Sequence, residues 1–406
     1  MSRWEEKHLG DICDSIYSGG TPKSTNQDYY NGNIPWLNTN EVNFNNIYQT
    51  NRYISSEGLK NSAAKYVPEN TVIVAMYGVT AGKCAVAKIP LTTNQACCNL
   101  VINNKIADYR YVFQYLRLNS KTLNGLANGG AQQNLNSIYI KKFKIWIPDL
   151  STQKRIADIL SAYDELIENN NRRIALMDQM VHELYNEWFV RFRFPGHKNV
   201  KFEHGLPMGW KMKNIGQLCD VTSSKRVYLA DYVEEGIPFY RSKEIIQLSQ
   251  GLAVSDPLYI SESAFNAFKN KFGVPKRNDI LITSVGTIGV SYLVDGHEFY
   301  FKDGNLTWIK SGDYPQLTYF LFQWLNSKIG KQQLLQSTIG TSQSALTIEN
   351  LKKIKVVVPS EYLIEEYYNH VFILTEQKRV LQFKNQNLAK QQNLLLPRLM
   401  SGKLEV

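Results

Sequence analysis

Apolar residues along this chain follow two rhythms. From Ser151 to about Arg191 there is neither Gly nor Pro, and apolar positions advance by alternating steps of four and three. The seam runs Ile156, Leu160, Tyr163, Ile167, Asn170, Ile174, Met177, Val181, Leu184, Trp188. That period predicts a heptad helix sustained over more than four repeats. Ser151 is its expected N-cap, and 40 residues at 1.5 Å each make a rod of about 60 Å. A second seam, Tyr367, Val371, Leu374, Lys378, Leu381, Asn385, Leu388, Gln392, Leu395, Leu399, follows Pro359. Lys378, Asn385 and Gln392 dilute it at seven-residue intervals, and polar seam residues weaken a coiled coil while fixing its register. Two such helices in one chain, separated by a globular segment, more simply pack on each other than on a second copy.

Residues 1–150 and about 205–359 keep the other rhythm. Short β-branched runs (Thr71–Val74, Lys144–Ile147, Ile280–Thr283, Lys355–Val358) alternate with Gly, Asn and Pro clusters, the pattern of strands and turns. Shorter helices are expected around Asp108–Asn119 and Gln316–Gln333. The fold class is α+β, divided into 1–150 (globular), 151–192 (helical spacer), 193–359 (junction and second globular domain) and 360–406 (helical spacer).

The two globular segments are copies. Trp4-(x5)-Gly10-x-x-Cys13-Asp14 recurs as Trp210-(x5)-Gly216-x-x-Cys219-Asp220, and Ile34-Pro35-Trp36 as Ile237-Pro238-Phe239. Gly129–Pro148 aligns without gaps on Gly340–Pro359, with seven of 20 positions identical, where average residue frequencies give about one or two. A repeat of roughly 200 residues exceeds the roughly 20–50 of a solenoid unit. It is a duplicated domain, built to touch two similar things.

Composition narrows the partner. A hydrophobic fraction of 43% and aromatic fraction of 12% belong to a folded protein. A formal charge of +10 and pI near 9.1 favour an anionic partner, nucleic acid before membrane. The charged start, Met1-Ser-Arg-Trp-Glu-Glu-Lys, does not suit a signal peptide, and the apolar stretch 71–87 is too short and glycine-rich to span a bilayer. Five cysteines with no C-x-x-C read as reduced thiols of a cytoplasmic protein.

Motifs for chemistry nearly fit and fail. Asn33-Ile34-Pro35-Trp36 lacks the first proline of the loop with which amino-methyltransferases hold a flipped base, and reads as a turn entering a strand. Gly78-Val-Thr-Ala-Gly82-Lys83-Cys84 has three residues between its glycines instead of four and Cys where a phosphate loop needs a hydroxyl. It reads as a hairpin connection. The six histidines show no metal-ligand spacing, and no nucleophile elbow appears. The chain reads as non-catalytic.

Together these pieces resemble the specificity subunit of a type I restriction-modification system. The resemblance rests on Trp4…Gly10-Asp11-Ile12 with Gly19-Gly20-Thr21-Pro22; on Gln132…Leu135…Ile147-Pro148 leading into Gln153-Lys154-Arg155-Ile156; on Glu187-Trp188-Phe189-Val190…Phe194…Gly205-Leu206-Pro207-x-Gly209-Trp210; and on Leu395-Leu396-Pro397-Arg398-Leu399-Met400-Ser401-Gly402-Lys403. It covers the whole chain. It implies two target-recognition domains, each followed by a long helix, the helices packed as an antiparallel coiled coil. It also implies double-stranded DNA as ligand in a bacterial cytoplasm, two modification subunits that bind S-adenosylmethionine and methylate adenine, and restriction subunits that translocate and cut. No cofactor is expected in this chain and no membrane partner. The second helix departs from the pattern: it begins Ser360-Glu-Tyr-Leu-Ile-Glu-Glu-Tyr367, without the Gln-Lys-Arg-Ile of the first.

Duplicated domains related by a pseudo-twofold axis match the symmetry of dimeric DNA readers. Each would read one short half-site, and loops that differ between copies would make the target split and asymmetric. Candidate DNA contacts are polar, aromatic or basic residues in loops beside repeat-matched strands: Lys23, Asn38, Asn40, Tyr77, Thr80, Lys83 and Gln132, then Lys225, Arg226, Tyr240, Arg241, Lys243, Ser284, Thr287 and Gln343. Arg241 and Lys243 have the chemistry to pair with guanine O6/N7, and Asn38 or Asn40 with adenine. Gln132 and Gln343 occupy matched positions, which points to a shared backbone role. The candidate helix-packing seam is Ile156, Leu160, Ile167, Ile174, Met177, Val181 and Leu184 with Val371, Leu374, Leu381, Leu388 and Leu395. The alternative from another class is a scaffold that bridges two protein partners through its duplicated domains.

Overall fold

Where the apolar rhythm is four and three, the chain is helical. The central long helix spans Leu150–Tyr185 and the C-terminal one Glu361–Met400. A computed structural model describes residues 4–126, 135–339 and 344–406. The first long helix starts earlier than its serine suggested. Asp149 is the cap: its carboxylate accepts from the Thr152 amide at 3.0 Å and from the Ser151 and Thr152 hydroxyls at 2.6 and 2.8 Å. Those bonds, led by the one from Ser151, hold the carboxyl well below its usual range. A carboxylate at a helix N-terminus also meets the positive end of the backbone dipole. The helix ends in a π-helical turn, Asn186–Val190.

Two compact units form, and they do not end where the globular segments end. The first joins residues 1–166 to 388–406; the second is 167–387. Each therefore holds one domain and stretches of both long helices.

In the first unit a five-stranded sheet has the order Cys13–Ser18, Cys97–Ile102, Val72–Ala75, Cys84–Ala87, Asn45–Ile47. A four-stranded sheet follows Arg52–Ile54, Ile34–Leu37, Leu91–Thr93, Tyr66–Val67. Val72–Ala75 and Cys84–Ala87 are buried throughout, so their continuous apolar runs need no alternation. Cys97 and Cys98 are core residues of the adjoining strand, and burial pushes the Cys98 thiol up to about 12. The helix Tyr109–Leu118, capped by Asp108, buries Tyr111, Val112 and Leu116 against this sheet.

The second unit repeats the plan. One sheet runs Val221–Thr222, Leu306–Ile309, Ile280–Thr283, Ser291–Leu293; the other runs Tyr232–Val233, Leu258–Ile260, Ile237–Tyr240, Tyr300–Phe301. The expected helix over 316–333 is two helices, Pro315–Asn326 and Lys328–Gln336, because the Ser327 hydroxyl caps a new start at the Gly330 amide. The opening and closing segments of the repeat come together as the same strand pair in each domain. Glu5–His8 is antiparallel to Lys144–Ile147 with Glu5 opposite Ile147, and Lys211–Asn214 to Lys355–Val358 with Lys211 opposite Val358.

Each domain is closed by the end of a long helix. In the first unit Leu396, Leu399 and Met400 enter the core with Leu9, Tyr111 and Ile147. In the second, Tyr185, Trp188, Phe189 and Phe194 enter the core with Trp210, Phe320 and Tyr367. Within each unit the two long helices run antiparallel: Leu160 and Asp164 meet Gln392 in the first, and Asn171 and Asp178 meet Asn385 and Lys378 in the second. Ile156, Leu160, Val181, Val371 and Leu381 are buried. Ile167, Ile174, Met177, Leu184, Leu374, Leu388 and Leu395 are half-buried.

The departure of the second helix has a packing explanation. Gln153 is buried and fastens the central helix to its domain: its amide nitrogen donates to Pro148 O at 2.9 Å, and its oxygen accepts from the Asp108 amide at 3.1 Å. Its repeat counterpart is Ile364, buried in the core of the second unit. One copy docks its helix by hydrogen bonds, the other by apolar burial.

Candidate nucleic-acid interface

Buried strands deliver the candidate loops. In the first domain Val72–Ala75 leaves the sheet, turns through Met76–Lys83 and returns as Cys84–Ala87. Two glycines in the left-handed region make the turn, Gly78 at φ +75° and Gly82 at φ +80°, a conformation costly to any residue with a Cβ. The base is closed by the Gly82 amide on Ala75 O and the Ala75 amide on Lys83 O, both at 2.9 Å. Val79 stands at the tip, 98% exposed, beside the exposed Tyr77.

This tip is tied to a second loop. The Thr80 hydroxyl donates to Thr39 O at 2.9 Å, and Lys83 Nζ donates to Asn43 at 2.8 Å. The Asn38 amide donates to Glu41 at 3.1 Å, and Asn94 Nδ2 donates to Asn38 Oδ1 at 3.3 Å. Asn38, Asn40, Tyr77, Thr80 and Lys83 are thus brought together. Asn38, Thr80 and Lys83 hold the loops to each other, while Asn40 and Tyr77 face solvent. Lys23 is exposed on the adjoining loop, pinned by the Gly20 amide on Thr93 O and the Tyr30 hydroxyl on Pro22 O.

In the second domain Ile280–Thr283 leads into the same device, with Gly286 at φ +76° and Gly289 at φ +84°. Thr287 is the exposed residue between them. Ser284 is buried: its hydroxyl pairs with Thr307 at 2.7 Å and its amide donates to Asn305 O at 2.8 Å. Ser242 donates to the same Asn305 carbonyl at 3.3 Å, which brings 240–243 beside 284–289. Tyr240 is buried against Phe299, and burial pushes its hydroxyl up to about 12. Arg226 Nε lies 3.3 Å from Asp303, and Lys225 Nζ sits 5.3 Å from the Phe272 ring centroid.

Arg241 has a partner within the fold. Its backbone amide, Nε and Nη2 all donate to Glu244, at 2.8, 3.2 and 2.6 Å, and the Glu244 carboxylate is 1% exposed. Burial pushes that carboxyl up, but the Arg241 bonds outweigh it and the net shift is downward. Lys243, two residues on, is exposed. Gln132 and Gln343 lie outside the described residues.

Val79 was absent from the sequence candidates because an apolar residue in an apolar stretch reads as core. The signal that finds it is the glycine pair, recurring around Val79 and Thr287 in corresponding loops. The arrangement offers two scaffolded tips with dissimilar side chains, and among the described residues no three acidic, His or Cys side chains gather as a metal site. No helix among the described residues is long and apolar enough to cross a membrane.

The duplicated domains match the type I restriction modification DNA specificity domain over residues 1–177 and again over 207–382. The chain belongs to the type I restriction-modification specificity subunits. Among similar chains, the MjaIX specificity subunit of Methanocaldococcus jannaschii is 26% identical, the match covering 99% of this chain and 94% of that one. The EcoR124I/EcoR124II specificity subunit of Escherichia coli is 28% identical over 48% of this chain and 50% of its own length. The crystal structure of an S subunit from M. genitalium has the same fold, with a TM-score of 0.63 and 17% identity over 98% of this chain and 96% of that one. Two domains, each followed by a long helix, and antiparallel pairing of those helices are therefore the architecture of a specificity subunit.

Proposed function

We propose that this specificity subunit reads a bipartite, asymmetric DNA target and directs adenine N6-methylation and restriction by partner subunits, without catalysing either step itself. The observation that carries the reading is the recurring glycine-flanked tip. The scaffold behind it is the same in both domains, whereas the exposed side chains differ, Tyr77 and Val79 against Thr287. A matched scaffold presents equivalent loops to equivalent surfaces, and unlike tips make the two half-sites unlike. Val79 has the chemistry to pack on a thymine methyl; Thr287 adds a hydroxyl to the same shape. Lys23, Lys225, Arg226 and Lys243 supply phosphate contacts around the tips. The segments 1–150 and 193–359 act as the two reading domains, and 151–192 with 360–406 as the spacer that sets the distance between half-sites.

Partner modification subunits, carrying the S-adenosylmethionine, are supported by apolar residues left in solvent on both long helices. Ile159, Leu166 and Met180 on the first, and Ile373, Val380 and Leu394 on the second, are each at least 36% exposed. These six fall at multiples of seven within each helix, the spacing by which a helix engages a further helix, and Leu176, Tyr362 and Phe383 add exposed apolar surface off that register.

The test is a map of methylated adenines made with the partner subunits present. Val79→Ala should relax the first half-site alone and Thr287→Ala the second alone. Equal loss at both halves, or no change at either, overturns the assignment of the tips. A gel shift that does not weaken as salt rises would overturn DNA binding itself.

A further inference from the structure

We infer that polar residues along the seam form a pairing code, which selects both the partner and the register of the two long helices. The C-terminal helix interrupts its apolar seam at Lys378, Asn385 and Gln392, one per heptad. The central helix carries Asp164, Asn171 and Asp178, also one per heptad. In the first unit Gln392 Nε2 donates to Asp164 Oδ1 at 2.8 Å and to Leu160 O at 3.1 Å. In the second, Asn385 Nδ2 donates to Asn171 Oδ1 at 2.9 Å while accepting from Asn170 at 2.8 Å, and Lys378 Nζ reaches Asp178 at 2.6 Å. Each step of seven forward on one helix is matched by seven backward on the other. A single antiparallel register closes all three rungs at once.

A one-heptad slip in either direction, or self-pairing of the central helix, leaves polar groups misplaced. A slip of one heptad in one direction sets Lys378 against Tyr185 and Asp164 against Leu399, both apolar partners buried in this fold. A slip the other way sets Asp178 against the buried Val371 and Gln392 against the buried Ala157. Pairing the central helix with a second copy of itself sets Asp164 against Asp178 twice if antiparallel, and each acid against its own copy if parallel. Of these pairings, only the union of the two different helices sets an amide or an ammonium of the facing helix opposite each acid. Duplicated halves make self-pairing the natural error, and the code acts against it by mismatch.

Mismatch matters more here than bond strength. The Asp178 side chain is 55% exposed, and an exposed ion pair stabilises little. Gln392 is fully buried, and Asp164 also accepts from Gln114 at 2.5 Å and Arg117 at 3.0 Å, so that rung cannot be abandoned cheaply. The code stands without DNA. Its consequence for target spacing rests on the DNA-reading function proposed above: one heptad is about 10 Å at 1.5 Å per residue, or about three base pairs at 3.4 Å.

The test uses the full chain with Ile174→Cys and Leu381→Cys, which lie one helical turn on from the bonded Asn170 and Asn385; Ile174→Cys with Leu388→Cys reports a one-heptad slip. Lys378→Asp with Gln392→Glu puts like charges on two rungs and should cut the in-register disulfide at least fivefold, with slipped or interchain disulfides rising. Adding Asp178→Lys and Asp164→Gln returns a cation and an amide opposite the two new acids and should recover at least half of the lost yield, the rest reflecting the Arg117 and Gln114 bonds that Asp164→Gln weakens. An unchanged yield in the first variant, or an exchanged variant no better than the first, overturns the code. The disulfide is read without DNA, so failure of the DNA reading leaves it untouched. Lost disulfide specificity alongside intact site-specific methylation overturns only the consequence for spacing.

Discussion

Replacing Arg241 by alanine should destabilise the second unit and leave base preference alone. The guanidinium is, with Lys243, a guanine-reading candidate by residue type, but two of its donors and its own backbone amide are spent on Glu244. Removing it leaves a carboxylate of 1% exposure with one of its three hydrogen bonds. Breaking a fully buried pair costs about 3–5 kcal/mol. The Arg241 side chain is 36% exposed, so water recovers part of that, and about 2–3 kcal/mol remains. For a unit of this size that corresponds to a fall in melting temperature of roughly 5–10 °C. Calorimetry of Arg241→Ala, Glu244→Gln and the double variant closes a cycle whose coupling should exceed about 1 kcal/mol. Methylated-site mapping below the transition should find the second half-site unchanged. A drop under about 2 °C together with a relaxed second half-site refutes the reasoning and returns Arg241 to the DNA.

Lys243→Ala, by contrast, should leave stability within about 0.5 kcal/mol and lower the salt dependence of DNA binding by about one phosphate contact, measured as the slope of log affinity against log salt. Gln153→Ala removes a buried anchor of the central helix and should cost about 2–4 kcal/mol, seen as an earlier denaturant midpoint for the first unit. Gly78→Ala meets no atom within 4 Å, so backbone strain alone should set its cost, about 1 kcal/mol, and Gly286→Ala should match it in the second domain. Acid should weaken the second unit before neutral pH does. Glu244 and Asp295 both have folded values below their ordinary 4.5 and 3.8, Asp295 at about 2, because the Arg241 and His297 partners outweigh the effect of burial. The unfolded chain then takes up protons first as pH falls, so this stabilisation is complete above about 4.5 and drains towards 2. A pH series of unfolding midpoints for Asp295→Asn should show a shallower decline than the parent chain.

Some of this was legible in the residues themselves. The alternation of fours and threes from Ile156 to Leu184 is a local property of helix geometry, and the helix it predicts runs to Tyr185, before the π-helical turn that holds Trp188. The duplication is likewise written in the chain, and its opening and closing segments form the same strand pair in each domain. Lys378, Asn385 and Gln392 were visible as seam interruptions seven residues apart. Other features depend on residues far apart in sequence. That Asp164, Asn171 and Asp178 answer those interruptions required the antiparallel pairing, across more than 190 residues of chain. How far a polar side chain is free to reach outward depends on what its neighbours leave unsatisfied: Thr80 and Ser284 bond within their loops, Arg241 bonds a buried acid, and the apolar Val79 stands exposed. Periodicity depends on one stretch of backbone and can be read from it alone. The use of a hydrogen-bonding group depends on which partners the fold brings within about 3 Å, and that was settled only when the sheets and helices came together.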